Sequence, residues 1–235
     1  MFRKLFYLFT LPALAFLVVG ILDYRGIFWH TELFTKKYEV RGIDISHHQG
    51  LIDWNGVLES DVDFAYIKAT EATGHIDSYF FYNWRQSKAM AIYRGAYHFF
   101  SMEVSGREQA EYFISVVPLD EDALPPVIDL EVSLNSNRDE VLREVGVMSG
   151  LLEEHYGKKP IIYMDLNVYE AFIEDGSLDN PIWIREIYFP PTLEHSLEWT
   201  FWQYSDRGSI KGIRGPVDQD VYRGTLAEFL EEYHL

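Results

Sequence analysis

The chain has 235 residues, enough for one domain with a sizeable core but short for two well-buried ones. Hydrophobic residues make up 48% and aromatics 16%, which excludes a disordered chain, and a formal charge of −17 repels phosphate backbones, so no nucleic-acid partner is expected. With no cysteine, disulfides, thiolate nucleophiles and zinc–sulfur sites are excluded together.

Taken in chain order, the first feature is an uncharged run from Leu5 to Leu22, LFYLFTLPALAFLVVGIL, preceded by Arg3 and Lys4. As one helix it spans roughly 27 Å at about 1.5 Å per residue, close to the hydrocarbon thickness of a bilayer. The run is longer than a usual secretory h-region and no small-x-small cleavage site follows it. An uncleaved transmembrane anchor over residues 1–22 is therefore expected rather than a cleaved signal that would release the protein. Basic residues ahead of the run and acidic excess behind it place the remainder outside the cytoplasm, on the cell-wall side of the membrane. Residues 23–39 read as a connector, and the folded domain as residues 40–235.

Short apolar runs then alternate with amphipathic stretches. Val40–Ile45, Phe64–Ala69, Gly95–Phe99, Val127–Leu130, Ile161–Tyr163, Ile182–Ile184 and Phe201–Tyr204 read as buried strands, with an eighth near Pro216–Val221. Tyr79–Met90, Arg107–Val116, Asp139–Tyr156, Asn167–Ile173 and Leu226–Tyr233 carry apolar residues at helical spacing. The alternation predicts a parallel sheet, and the strand count a single reduced β/α barrel. The alternative, a doubly wound sheet, has no glycine-rich phosphate motif after any strand.

Catalytic groups of such barrels sit at the carboxyl ends of strands. Four strand ends carry ionisable residues: Asp44 with His47 and His48, Asp129-Leu130-Glu131, Trp202-Gln203-Tyr204-Ser205, and Asp218-Gln219-Asp220. In the triplet, Asp129 and Glu131 are two apart and share a strand face, with α-carbons roughly 6 to 7 Å apart at about 3.3 Å per residue. Close carboxyls cannot both ionise freely, so one is pushed up in pKa, the state a general acid needs beside an ionised partner. Such a pair suits glycosidic cleavage. Taken alone, the short and common triplet reads as an ordinary solvated strand end.

From Arg41 to about residue 223 the chain resembles glycoside hydrolase family 25, the lysozymes first described from fungi, streptomycetes and phages. The resemblance rests on Gly42-Ile43-Asp44-Ile45-Ser46 with Gln49-Gly50, Ile67-Lys68-Ala69-Thr70-Glu71, Asn83-Trp84, Gly95-Ala96-Tyr97-His98-Phe99, Asp129-Leu130-Glu131, Trp183-Ile184, Trp202-Gln203-Tyr204 and Gly215-Pro216-Val217-Asp218, in that order. It implies a flattened TIM-like β/α barrel that cleaves the β-1,4 bond between N-acetylmuramic acid and N-acetylglucosamine in peptidoglycan glycan strands; a monomer without cofactor or metal is expected. It further implies Glu131 as general acid and Asp129 as the group that orients the substrate's own acetamide as internal nucleophile. Asp44 and Asp218 match two further acidic site positions. Lys68, Glu71, Tyr97, Tyr163, Trp202 and Gln203 match positions near the cleft. Two departures stand out: Asp220 where asparagine is usual, and Arg185 and Glu186 where small residues are common.

Two other readings compete. Asp44 with His47 and His48 suggests a metal-dependent polysaccharide deacetylase, although adjacent residues on a strand point to opposite faces. A barrel that binds peptidoglycan without turning it over is the second.

Overall fold

The computed structural model describes residues 2–24, 30–191 and 197–234. The strands are β1 (Arg41–Ile45), β2 (Phe64–Glu71), β3 (His75–Ile76), β4 (Tyr93–Phe99), β5 (Val127–Asp129), β6 (Ile161–Asp165), β7 (Ile182–Arg185), β8 (Phe201–Gly208) and β9 (Val217–Tyr222). The helices are α1 (Phe2–Tyr24), α2 (Glu32–Thr35), α3 (Trp54–Leu58), α4 (Phe80–Ala89), α5 (Gly106–Val116), α6 (Arg138–Tyr156), α7 (Leu166–Val168) and α8 (Leu226–Tyr233).

The sheet runs β1-β9-β8-β7-β6-β5-β4-β2-β3, and an additional β1–β2 pairing closes all but β3 into an eight-stranded barrel. Each strand expected from the sequence is present. One expectation fails: the sheet is not wholly parallel, because β9 runs antiparallel to both β8 and β1. The cause is connection length. A parallel crossover needs about a dozen residues or more, and the short segment 209–216 turns back as a hairpin.

Two cores follow from the period-2 alternation of the strands. Side chains facing outward, such as Ile43, Ile67, Ile128, Ile162, Ile184 and Trp202, pack against the surrounding helices. Those facing inward, including Phe64, Tyr66, Trp183, Phe201 and Tyr222, fill the lower barrel with aromatic rings, and Phe229 and Tyr233 of α8 close that end. The rings need room. A Cβ at Gly42 would lie 2.2 Å from the Phe64 ring, and one at Gly95 would lie 2.0 Å from the Tyr66 ring, so glycine on β1 and β4 is what admits them.

Part of the segment read as a connector packs on the barrel. Thr31 is buried and donates to the Tyr204 carbonyl at 2.7 Å, and the Tyr38 ring meets Trp199 edge-on at 5.4 Å. The expected anchor, residues 1–22, coincides with most of α1, and Met1 lies outside the described residues. Among the described residues no helix is long and apolar enough to cross a membrane.

Candidate active site

The upper barrel is polar where the lower barrel is aromatic. Inward positions of β1, β2, β4, β5, β6, β8 and β9 present Asp44, Lys68, Tyr97, Asp129, Tyr163, Gln203 and Asp218 at one mouth; all but Gln203 line a hollow of about 220 Å³, with Glu131 and Trp183. The other strands bring their carboxyl ends to this mouth. Reversed β9 brings its amino end, so Asp218 reaches the mouth and stands opposite Asp44 in register, while Asp220 lies one layer deeper opposite Gly42. The parallel strand assumed from sequence would have ordered these two acids the other way.

The triplet is placed as its spacing requires. Val127, Asp129 and Glu131 all line the hollow, while Ile128 and Leu130 are buried in the outer core. Asp129 is 8% exposed and Glu131 is exposed at the rim. Burial pushes the Asp129 carboxyl well above its ordinary value; the charge of Glu131 adds to the shift and Lys68 opposes it. The sequence reading attached the raised acid to the Glu131 role and ionisation to Asp129. In the structure it is the Asp129 carboxyl that burial raises, because Asp129 is the deeper of the two.

Asp44, Asp218 and Asp220 form a second acidic cluster. Gln203 Nε2 donates to Asp44 Oδ2 at 2.7 Å, the Tyr163 hydroxyl donates to Gln203 Oε1 at 3.0 Å, and Trp183 Nε1 donates to Asp220 Oδ1 at 3.0 Å. Asp220 is completely buried, and among the described residues its Oδ2 has no donor. Burial raises all three carboxyls, and mutual repulsion raises Asp218 and Asp220 further, so the cluster retains protons and the acids can hydrogen-bond to one another.

The remaining candidates divide. Lys68 lies over the Phe99 ring at 4.8 Å and reaches Glu71 Oε2 at 2.7 Å, so Glu71 sits at the rim as the partner of Lys68 rather than in the hollow. An irregularity between Lys68 and Thr70 separates their register and allows this. Trp202 is not in the cleft. Strand neighbours face opposite ways, so once Gln203 points inward Trp202 points outward; it is fully buried against Trp199 and Tyr204 and donates Nε1 to the Glu186 carbonyl at 2.7 Å.

The histidine argument also changes. His47 and His48 lie on a single 3-10 turn, His47–Gln49, not on a strand, and their rings sit side by side with centroids 4.1 Å apart. Ser46 and Gln49 close a capping box on this turn, His47 Nδ1 is 2.7 Å from Asp77 Oδ2, and His48 lines the hollow. Among the described residues no group of three or more histidine or acidic side chains is arranged to hold a metal ion. Sequence reasoning passed over Trp183 as a site residue, and it named Asp220 as a strand-end acid and a departure from the family pattern without assigning it to the site. Both were findable by the same two-residue spacing, Trp183 from Arg185 and Asp220 from Asp218.

Comparison with known proteins agrees with this geometry. The sequence model of Glycosyl hydrolases family 25 matches residues 43–213. YegX of Escherichia coli K12 is 37% identical over 215 residues, covering 89% of this chain and 79% of YegX. Lysozyme M1 of Streptomyces globisporus is 32% identical over 206 residues, covering 81% of this chain and 70% of that protein. A solved family 25 glycosyl hydrolase from Bacillus anthracis superposes with a TM-score of 0.79 at 39% identity, covering 83% of this chain and 94% of the other. A mostly parallel barrel with one reversed strand, an Asp-x-Glu pair at its mouth and these relatives together place the chain in family 25 of the glycosyl hydrolases.

Proposed function

We infer that this protein is a lysozyme, a peptidoglycan hydrolase that cuts between N-acetylmuramic acid and N-acetylglucosamine. The observation that carries the chemistry is the Asp129–Glu131 pair, one carboxyl buried and one at the rim of the same hollow. Two close carboxyls hold one proton between them. Burial favours the protonated form of Asp129. When the substrate's acetamide oxygen attacks the anomeric carbon, positive charge develops on the amide beside Asp129, and a poorly solvated site strengthens its attraction for an ionised carboxylate. The proton then resides on Glu131, which delivers it to the leaving glycosidic oxygen as that bond breaks. Water closes the cycle: it adds to the anomeric carbon, opens the ring formed with the acetamide and returns its proton to Glu131. In this reading Asp44 and Asp218 are acidic site residues that line the acetamide side of the hollow, while Lys68, Tyr97 and Tyr163 face the sugar and Gln203 positions Asp44.

Membrane anchoring through α1 belongs to the same proposal. In its described part Leu11, Leu14, Leu17, Val18, Val19 and Ile21 are all exposed, and Arg3 and Lys4 precede the run. An apolar helix with these side chains exposed is suited to lipid, with the barrel on the wall side. Membrane fractionation with a tag-accessibility assay tests it; recovery of all the protein from the medium refutes it.

The activity is tested with the full chain in detergent on purified peptidoglycan, beside Glu131→Gln. Wild type is expected to release new reducing ends of muramic acid, and the variant to lose about 10²–10⁴ in kcat, the range for a general acid. Glucosamine ends refute the bond assignment. Equal rates from the two proteins refute the role of Glu131.

A further inference from the structure

Large apolar side chains stand exposed at one edge of the barrel, where the proposed glycan chemistry does not use them. The segment after β7 reads Glu186-Ile187-Tyr188-Phe189-Pro190-Pro191. Ile187 is buried in the outer core, whereas Tyr188 is 60% exposed and Phe189 58%. The segment is fixed in that posture. The Glu186 carboxylate accepts from the backbone N–H groups of Tyr188 and Phe189 at 2.8 and 3.3 Å, and His30 Nε2 donates to the Tyr188 carbonyl at 2.6 Å. Pro190 further disfavours a helical backbone at Phe189. Glu186, one of the departures from the family pattern, thus shapes a segment that turns two aromatic rings outward.

Helix α2 continues the patch. Thr31 and Thr35 are buried against the barrel, so Leu33 and Phe34 between them point away from it and are exposed. His30, just ahead of α2, meets the Phe189 ring edge-on with centroids 6.4 Å apart, which joins the two pieces. An exposed apolar patch of this kind marks a protein or membrane contact, and three observations select lipid. Five residues, 25–29, separate the end of α1 from His30, at most roughly 20 Å of chain at about 3.3–3.6 Å per residue, so an anchored α1 holds this edge close to the bilayer. Tyrosine, phenylalanine and leucine are side chains that settle at the boundary between headgroups and acyl chains. The charges of α2 and its flank balance, Glu32 and Glu39 against Lys36 and Lys37, so this edge meets headgroups without the repulsion that a net charge of −17 brings to the chain as a whole.

We propose that Tyr188, Phe189, Leu33 and Phe34 form a docking edge that seats on the headgroup region of the bilayer beside the α1 anchor. The proposal rests on the anchor reading and is independent of the lysozyme one. The aromatic segment leaves the barrel at the carboxyl end of β7, which is the mouth end. Docking therefore sets the mouth beside the bilayer and directs it to the glycan lying nearest the membrane.

Because the chain has no cysteine, a single introduced cysteine reports a single position. Full chains carrying Phe189→Cys, Phe34→Cys or Leu119→Cys are labelled with a polarity-sensitive nitrobenzoxadiazole dye. They are placed in vesicles of phosphatidylethanolamine and phosphatidylglycerol, with and without a lipid bearing a nitroxide near its headgroup. Leu119 is also exposed but precedes β5, at the end of the barrel away from the mouth. The dyes at 189 and 34 are expected to emit at shorter wavelength than the dye at 119 and to be quenched several-fold more strongly by the nitroxide lipid. Adding Tyr188→Ser and Phe189→Ser to the Phe34→Cys chain is expected to lower its quenching toward that at 119, with reducing-end release in detergent unchanged. Equal quenching at 189 and 119 in vesicles that retain the chain overturns the proposal. Short-wavelength emission at 189 without quenching also overturns it, because it marks a protein contact such as a second copy. Failure of the chain to stay with the vesicles refutes the anchor itself, and this proposal with it, whereas the lysozyme reading stands or falls on its own assay.

Discussion

Gln203 is the point at which the two halves of the polar mouth are joined, so its removal has a calculable cost. Its amide donates to the Asp44 carboxyl at 2.7 Å and accepts from the Tyr163 hydroxyl at 3.0 Å, and the residue is 2% exposed. A hydrogen bond to a charged group contributes about 1.5–3 kcal/mol and a neutral one about 0.5–1.5 kcal/mol. Water from the adjacent hollow can re-solvate Asp44 and Tyr163 after truncation, which places Gln203→Ala near the lower end, about 2–3 kcal/mol. For a domain of this size, about 2–4 °C per kcal/mol puts the fall in melting temperature at roughly 5–10 °C. The donated bond also holds the Asp44 carboxyl down against burial. Its loss therefore moves the limb of the pH–rate profile that reports Asp44 to higher pH. Gln203→Glu keeps the shape but faces Asp44 with an oxygen, so this variant is expected to hold its stability near pH 4, where the new acid is protonated, and to lose it as pH rises. Thermal unfolding across pH, with rates of reducing-end release, measures both. If Gln203→Ala melts within about 1 °C of wild type and Gln203→Glu shows no pH dependence of its own, Gln203 does not organise the mouth.

Two further outcomes follow from the same geometry. Asp220 is raised above its ordinary 3.8, so its contribution to stability is full below that pH and is lost as pH rises toward its folded value. Asp220→Asn removes that loss while keeping an acceptor for Trp183, and its melting temperature is expected to exceed that of wild type increasingly above about pH 4; a constant difference across pH refutes the buried-proton account. His98 works in the opposite sense: burial lowers it to about 4, so its contribution is lost as pH falls below 6.5, and the difference between Asp220→Asn and wild type cancels this background. Trp202→Phe is expected to cost about 1–2 kcal/mol through the lost bond to the Glu186 carbonyl and lost packing, with KM for peptidoglycan within twofold of wild type; a large rise in KM would return Trp202 to the cleft.

Much of the barrel was legible in the chain because its information is local. Apolar runs bounded by turn residues mark the strands, and the helical period marks α4, α5, α6 and α8 between and after them. The Asp129–Glu131 pair was legible for the same reason: the alternation that turns Val127 and Asp129 inward on β5 carries on to Glu131 just past its end. The alternation rule, applied to Trp202-Gln203, would also have separated core from cleft, since consecutive strand residues cannot both face the sugar. His47 and His48 were misjudged because a 3-10 turn has no period of two.

Other features were decided only by the closed structure. The direction of β9, and with it which of Asp218 and Asp220 reaches the mouth, depends on how the last hairpin meets β1 across the barrel, a pairing between residues far apart in sequence. Which of two neighbouring carboxyls keeps the proton depends on depth, and depth exists only once the aromatic rings admitted by Gly42 and Gly95 have filled the barrel below the acids. Spacing along a strand sets which residues share a face; desolvation and mutual repulsion, which set what those residues can do, are properties of the space that the other strands enclose.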